Sequence, residues 1–410
     1  MRKDREVKIQ NIFLKLFLIT SLFFPAFYSP FEADYLGEYF AGFLVAYLFL
    51  ALYLMIQMIR LKALPKEQTF WMFFVFTIIY NVLSLYFNVK ELHWYWEQIN
   101  NTIGFLFFAF LVGFGDRIQE ELDKILSFFI KAVIISNVLS ILYFIAGYTS
   151  FIICNNRLTF YRYGEEEIYH EFRHYWLYSH KSDYSVMLLC FLAVCLCYRK
   201  RFKKRYGFWL SVLVLGAALI TTHSWTGYLG GMVLAGCAVL DRIDVKKFLK
   251  SWQGKTAAAL TGLIGIFVGA ILLSQRNIFT MGDRLPIWKA VMGTLKERPQ
   301  GLGFWFGEYP IQIRETWAVT NAHNVFLNQM LRFSVPVGIV FTILIVIIAV
   351  YCVCKSKTWL SLGMWAALFM LFNMDYSLLS YEMAMVLFCV YLVCVFPGVL
   401  RERETSGGKV

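Results

Sequence analysis

The fold turns on SVPVGIVFTILIVIIAVYCVC, residues 334–354. These twenty-one residues contain no Asp, Glu, Lys or Arg. As a helix rising about 1.5 Å per residue, they are long enough to cross a hydrocarbon layer of roughly 30 Å. Runs of similar length and composition recur along the chain, at 11–29, 38–59, 69–88, 98–115, 125–146, 181–198, 207–222, 226–240, 256–274, 358–375 and 381–397. The apolar run 207–240 is too long for one crossing, and His223-Ser224-Trp225-Thr226-Gly227 divides it into a tight pair. A 410-residue chain that is 59% hydrophobic and 19% aromatic, with mean hydropathy +0.58, has no place among soluble domains. The expected fold is all-α: a polytopic membrane protein of about twelve transmembrane helices, residues 1–410 forming one integral domain with a large, partly helical outer loop.

Basic residues set the orientation. With the N-terminus in the cytoplasm, 25 Lys and Arg fall in inner segments and 12 in outer ones, although the two longest loops are outer. Both termini are therefore expected inside. The net charge of +12 follows from topology and calls for no nucleic acid; RKRFKKR at 199–205 reads as an inner anchor. The nine cysteines lie almost all within spans, which gives neither a disulfide framework nor a Cys-x-x-Cys metal site. The first span reads as a retained helix rather than a cleaved signal.

In this topology all six histidines, His93, His170, His174, His180, His223 and His323, fall outside. So do two long loops, 147–180 and 275–322, which form the expected active face. The loop-charge rule disfavours outer basic residues, yet these loops carry Arg157, Arg162, Arg173, Arg276, Arg284, Arg298 and Arg314. An arginine's planar fork suits phosphate oxygens. Within GDRLPIWKAVMGTLKERPQGLGFWFG (282–307), Leu285, Ile287, Trp288, Val291, Met292 and Leu295 recur at the spacing of an interfacial amphipathic helix over 283–297. Pro299 and Gly301-Leu302-Gly303 end it. The second loop closes on NAHNVFLNQMLRFSVPVG (321–338), which places His323 and Asn324 at the mouth of the 334–354 span. A His-Asn pair there also suits a helix cap.

His170-Glu171-Phe172-Arg173-His174 fits the H-E-x-x-H zinc spacing. No third ligand follows at a familiar distance and the neighbouring arginines oppose a dication, so no metal is assigned.

The ordered pieces across 170–340 resemble the O-antigen polymerase and ligase superfamily of bacterial membrane enzymes. The resemblance rests on Arg284 followed by Ile287-Trp288, a helix, Pro299 and Gly301-Leu302-Gly303, and then on His323-Asn324, an apolar amphipathic turn and a Pro-Gly break. Two matches are looser. THSWTG (222–227) has Trp225 where the family has an arginine, and SHKSDYS (179–185) has Ser182 where it has an asparagine. The resemblance implies polymerisation of polyprenyl-pyrophosphate-linked oligosaccharides at the outer face of the cytoplasmic membrane, for capsule, O-antigen or exopolysaccharide. It implies His323 as base for the acceptor hydroxyl and Arg284 as stabiliser of the departing pyrophosphate. An unperturbed imidazole titrates near neutrality, which suits that role. Asn324, Arg173, Arg314, His180 and Trp288 are the expected substrate contacts, and Trp305, Phe306 and Trp317 are candidates to stack on sugar rings. No cofactor is needed. Expected partners are the lipid-linked substrate, membrane lipids, and chain-length regulator and flippase proteins. Two alternatives stay open: a ligase that passes the finished glycan to a surface acceptor, and a flippase for the same lipid. The flippase reading expects charges at mid-membrane; ionisable residues within the spans are few, Lys15 and Lys131, with Asp375 and Glu382 near an outer end.

Overall fold

A computed structural model describes residues 2–24, 27–28, 42–61, 65, 67–88, 96–154, 157–162, 173–178, 180–243, 252, 284–303, 310–315, 317–319, 321–374 and 382–400. The molecule is mostly helical. The helices are α1 (Arg2–Phe23), α2 (Gly42–Leu61), α3 (Gln68–Asn88), α4 (Trp96–Phe114), α5 (Gln119–Ile145), α6 (Lys181–Cys197), α7 (Arg205–Thr221) and α8 (Trp225–Leu240). After these come α9 (Arg284–Glu297), α10 (Val325–Phe333), α11 (Val335–Ser356), α12 (Trp359–Met374) and α13 (Glu382–Cys394). Helices stand at eleven of the twelve expected spans; the twelfth, 256–274, lies outside the described residues, as do Arg276, Asp375 and Trp305-Phe306. Among the described residues three helical stretches are long and apolar enough to cross a membrane: Gln68–Phe87, Gln119–Ile145 and Val335–Ser356.

Polar groups explain where several of these helices begin and end. α5 opens on Glu120 and Glu121, whose charge suits a helix N-terminus. His223-Ser224 does split the 207–240 run. Ser224 caps α8, its Oγ accepting from the Gly227 N–H at 3.2 Å. α8 and α12 then pack through small residues. A Cβ on Gly230 would touch Ala367, and one on Gly363 would strike Cys237. At one end of this pair Asp241 accepts the N–H groups of Trp359 (2.6 Å) and Leu360 (2.9 Å). Antiparallel packing from that point sets the Ser224–Trp225 end of α8 level with Met374.

α6 and α13 form the centre. Ser182–Cys195 and Met383–Cys394 are buried on every face, as expected of helices enclosed by others. The surrounding helices turn apolar side chains outward, among them Ile59, Ile135, Leu142, Leu213 and Val350. Such a surface suits lipid and would be costly in water. A set of charged cross-links lies at the opposite end from Met374. Gln57 Nε2 donates to Glu121 Oε2 at 2.8 Å, Arg60 pairs with the same carboxylate, and Arg201 meets Asp123 at 2.6 Å.

The expectation of an all-α fold needs one amendment. β2 (Tyr148–Cys154) and β3 (Arg157–Arg162) form an antiparallel hairpin within the 147–180 loop, joined in parallel by β1 (Phe27–Tyr28). β4 (Ile311–Arg314) and β5 (Trp317–Val319) form a second hairpin after α9. YTSFIIC and RLTFYR are rich in aromatic and β-branched residues, which favour pleated over helical backbone.

Candidate active site

The stretch Asn321–Asn324 is fastened to three elements at once. Asn321 Oδ1 accepts the His323 N–H at 2.9 Å, closing a tight turn. His323 sits at φ 48°, in the left-handed region that a non-glycine residue enters at some cost. Asn328 reaches back from α10 to accept the Ala322 N–H at 2.8 Å. Asn324 caps α10 with Oδ1, accepting from Phe326 and Leu327 at 3.0 Å each, while its Nδ2 donates to Asn373 Oδ1 at 2.9 Å.

α9 closes on the same place. Arg284 Nε donates to the Met374 carbonyl at 3.1 Å, so Arg284 and Asn324 are held by consecutive residues at the end of α12. One helical turn along, Trp288 Nε1 donates to the Ala322 carbonyl at 3.0 Å, beside His323. Ile287, Val291 and Leu295 bury against Ile311, Ala322 and Leu331, while Leu285 and Met292 of the expected apolar stripe stay exposed. The chain beyond α9 is clamped as well. Pro299 accepts the Val335 N–H at 2.9 Å, and Leu302 donates to the Leu331 carbonyl at 2.6 Å. Gly301, at φ 80°, passes so close that a Cβ would come within 2.6 Å of the Leu331 oxygen.

Arg284, Trp288, His323 and Asn324 therefore share one site. Arg314 is exposed on the β4–β5 hairpin with its guanidinium 5.9 Å from the Trp317 ring centre, and Ile311 of that hairpin packs on α9. His180 caps α6, its Nδ1 accepting from the Ser182 N–H at 3.2 Å, and Arg173 is half-buried in the strand-like segment before it. These two belong to a neighbouring cluster. There the His174 N–H donates to the Thr221 carbonyl at 3.2 Å and Ser185 Oγ donates to Thr222 Oγ1 at 3.2 Å. His174, His180, His223 and His323 thus gather at the Met374 end of the helices; His93 and His170 lie outside the described residues.

His170-Glu171-Phe172 also lie outside them, but His174 is described and fully buried. Its Nδ1 lies 2.7 Å from the Thr149 carbonyl and its Nε2 2.6 Å from Ser140 Oγ, so both ring nitrogens face protein groups rather than a metal. Ser140 Oγ continues to Tyr184 Oη at 2.7 Å, which donates to Asn137 Oδ1 at 2.8 Å. Burial pulls the His174 imidazole down to about 4, against which the Thr149 carbonyl acts as a lesser upward influence.

Three residues were not found from sequence. Asn373 reads as one polar residue at a span end, and only the fold shows that it holds Asn324. Asn328 and Arg332 belong to α10, whose sequence reads as an apolar amphipathic turn. Beside Val325, Leu331 and Phe333 it buries a polar stripe, Asn328, Gln329 and Arg332, at helical spacing. That spacing was the available signal.

No protein-family model matches the chain, and no curated protein matches it.

Proposed function

We propose that the chain is a multi-pass enzyme of the bacterial cytoplasmic membrane, with about twelve crossings and both termini inside. Its activity is to polymerise polyprenyl-pyrophosphate-linked oligosaccharide repeats at the outer face. The observation that carries this reading is the convergence of Arg284 and Asn324 on Met374 and Asn373, with Trp288 holding Ala322 beside His323. In this reading Arg284 and His323 serve one site near the ends of apolar helices. No nucleotide or metal is required of it.

In the proposed step an acceptor hydroxyl attacks the anomeric carbon of the donor. The hydroxyl proton passes to His323, the new glycosidic C–O bond forms, and the bond to pyrophosphate breaks with its electron pair leaving on polyprenyl pyrophosphate. Arg284 faces the charge that develops there. Arg332 supplies a second, buried cation for a chain that has Trp225 where the superfamily it resembles has an arginine. It lies in the last turn of α10, about 10 Å along the helix from Val325, so it serves a different part of the substrate from Arg284.

The test is complementation of a deletion strain. His323→Ala is expected to lower the polymerisation rate by about 10²–10⁴-fold, and Arg284→Ala by about 10²–10³-fold. Single lipid-linked repeats should then accumulate on the outer leaflet while the protein inserts normally. Wild-type polymer length in either variant would sink the mechanism. Repeats trapped on the inner leaflet would indicate a flippase instead.

A further inference from the structure

Beneath α10 runs a seam of neutral polar side chains that the proposed chemistry does not use. Tyr80 of α3 donates to Gln329 Oε1 of α10 at 3.1 Å, and Asn101 of α4 donates to Tyr80 Oη at 3.0 Å. Gln98, one turn before Asn101, shares the face of α4 that carries Phe105 against the Tyr80 ring. Tyr80, Gln98 and Gln329 are 0% exposed and Asn101 is 2% exposed. Even so, both polar atoms of Gln98 and the Nε2 of Gln329 meet no hydrogen-bond partner among the described residues.

A buried amide left unpaired costs its full desolvation, and a lipid surround supplies no substitute partner. Gln98 in particular is hard to explain as packing, since it makes no bond that a leucine of similar volume would lose. Tyrosine, asparagine and glutamine are also all neutral. In a dry site they complement groups that donate and accept without charge. Gln329 lies in the second turn of α10, about 6 Å along the helix from its first residue Val325, with His323 in the turn just before that helix.

We propose that this seam is a subsite for the hydroxyl and amide groups of the sugars nearest the pyrophosphate, with Gln98 and Gln329 as binding residues. The proposal rests on the function given above and names the part of the substrate that the seam recognises.

The experiment uses full-length protein in nanodiscs with two probes: polyprenyl pyrophosphate, and polyprenyl pyrophosphoryl N-acetylglucosamine. The wild type is expected to bind the sugar-bearing lipid about ten-fold more tightly, the gain from one or two buried hydrogen bonds. Gln98→Leu and Gln329→Leu should bring that preference to within about two-fold and leave the bare lipid's affinity unchanged; Gln98→Leu should also hold or raise the thermal midpoint, whereas Gln329→Leu strands the Tyr80 hydroxyl and should lower it modestly. Variants that keep the preference overturn the proposal. So does a wild type that binds both lipids equally, which leaves the proposed function standing. A falling midpoint with loss of both lipids assigns the glutamines to structure and also overturns it. A wild type that binds neither lipid removes the proposed function, and the subsite with it.

Discussion

His174 shows how one residue type takes opposite duties in the same molecule. It is fully buried, its two ring nitrogens face Thr149 and Ser140, and burial holds its pKa at about 4 against an ordinary 6.5. The folded chain thus resists a proton that the unfolded chain accepts. Stability from His174 is fully present above about pH 6.5 and is lost as the pH falls from there towards 4. At about 1.4 kcal/mol per unit, the loss is on the order of 3 kcal/mol. The thermal midpoint of purified protein should therefore fall between pH 7 and pH 5, and His174→Asn should flatten that slope. Parallel slopes for the two proteins would refute the assignment. His323 occupies the reverse setting, half-buried and held at positive φ by the Asn321 turn. The H-E-x-x-H spacing drew attention to His174, but spacing carries no information on burial, and burial is what separates these two imidazoles.

At the scale of elements, what could be read from sequence was whatever depends on local periodicity. The amphipathic helix over 283–297 stands as α9, and Pro299 with Gly301-Leu302-Gly303 ends it. His323-Asn324, expected at the mouth of the 334–354 span, instead opens the separate short helix α10, with Asn324 as its cap, and Ser334 at φ 118° divides that helix from α11. Hidden from sequence were features that depend on which helices become neighbours. Asn373 acquires its role only because α12 ends beside Asn324, and the polar stripe of α10 looks like surface until α3 is packed against it. The hairpins at 148–162 and 311–319 were missed because a span-based reading treats every stretch between spans as loop. α10 also depends on close approach to α11. A Cβ on Gly338 would run into Met330 Cγ and come within 2.8 Å of the Met330 nitrogen. Gly338→Ala should therefore destabilise by about 1–3 kcal/mol and reduce activity by lifting α10 from its seat. Gly293, exposed within α9 with nothing near its added Cβ, gives the contrast: Gly293→Ala should stabilise by about 0.5–1 kcal/mol. Denaturation midpoints of the two variants check this pair, and a Gly338→Ala protein as stable as wild type would contradict the contact.

Across the whole molecule, the apolar exterior of α2, α3, α5, α7 and α11 suits a membrane protein, and the proposed orientation is open to direct test. In a cysteine-free background, single cysteines at Thr226 and Gln312 should react with a membrane-impermeant maleimide in intact cells. A cysteine at Lys200 should react only after permeabilisation; reversed accessibility would invert the topology. One helix, α12, reaches both ends. Its first turn is fixed by Asp241 and its last residues hold Arg284 and Asn324. This helix is a ruler read at both ends. Inserting one residue anywhere in it would advance its tip by about 1.5 Å and rotate it by about 100°. Asn373 and Met374 would then miss both clients, although every residue of the site would still be present. The spacing between Asp241 and Arg284 is thus written as a count of residues in α12, and lengthening that helix would silence the site from the far side of the protein.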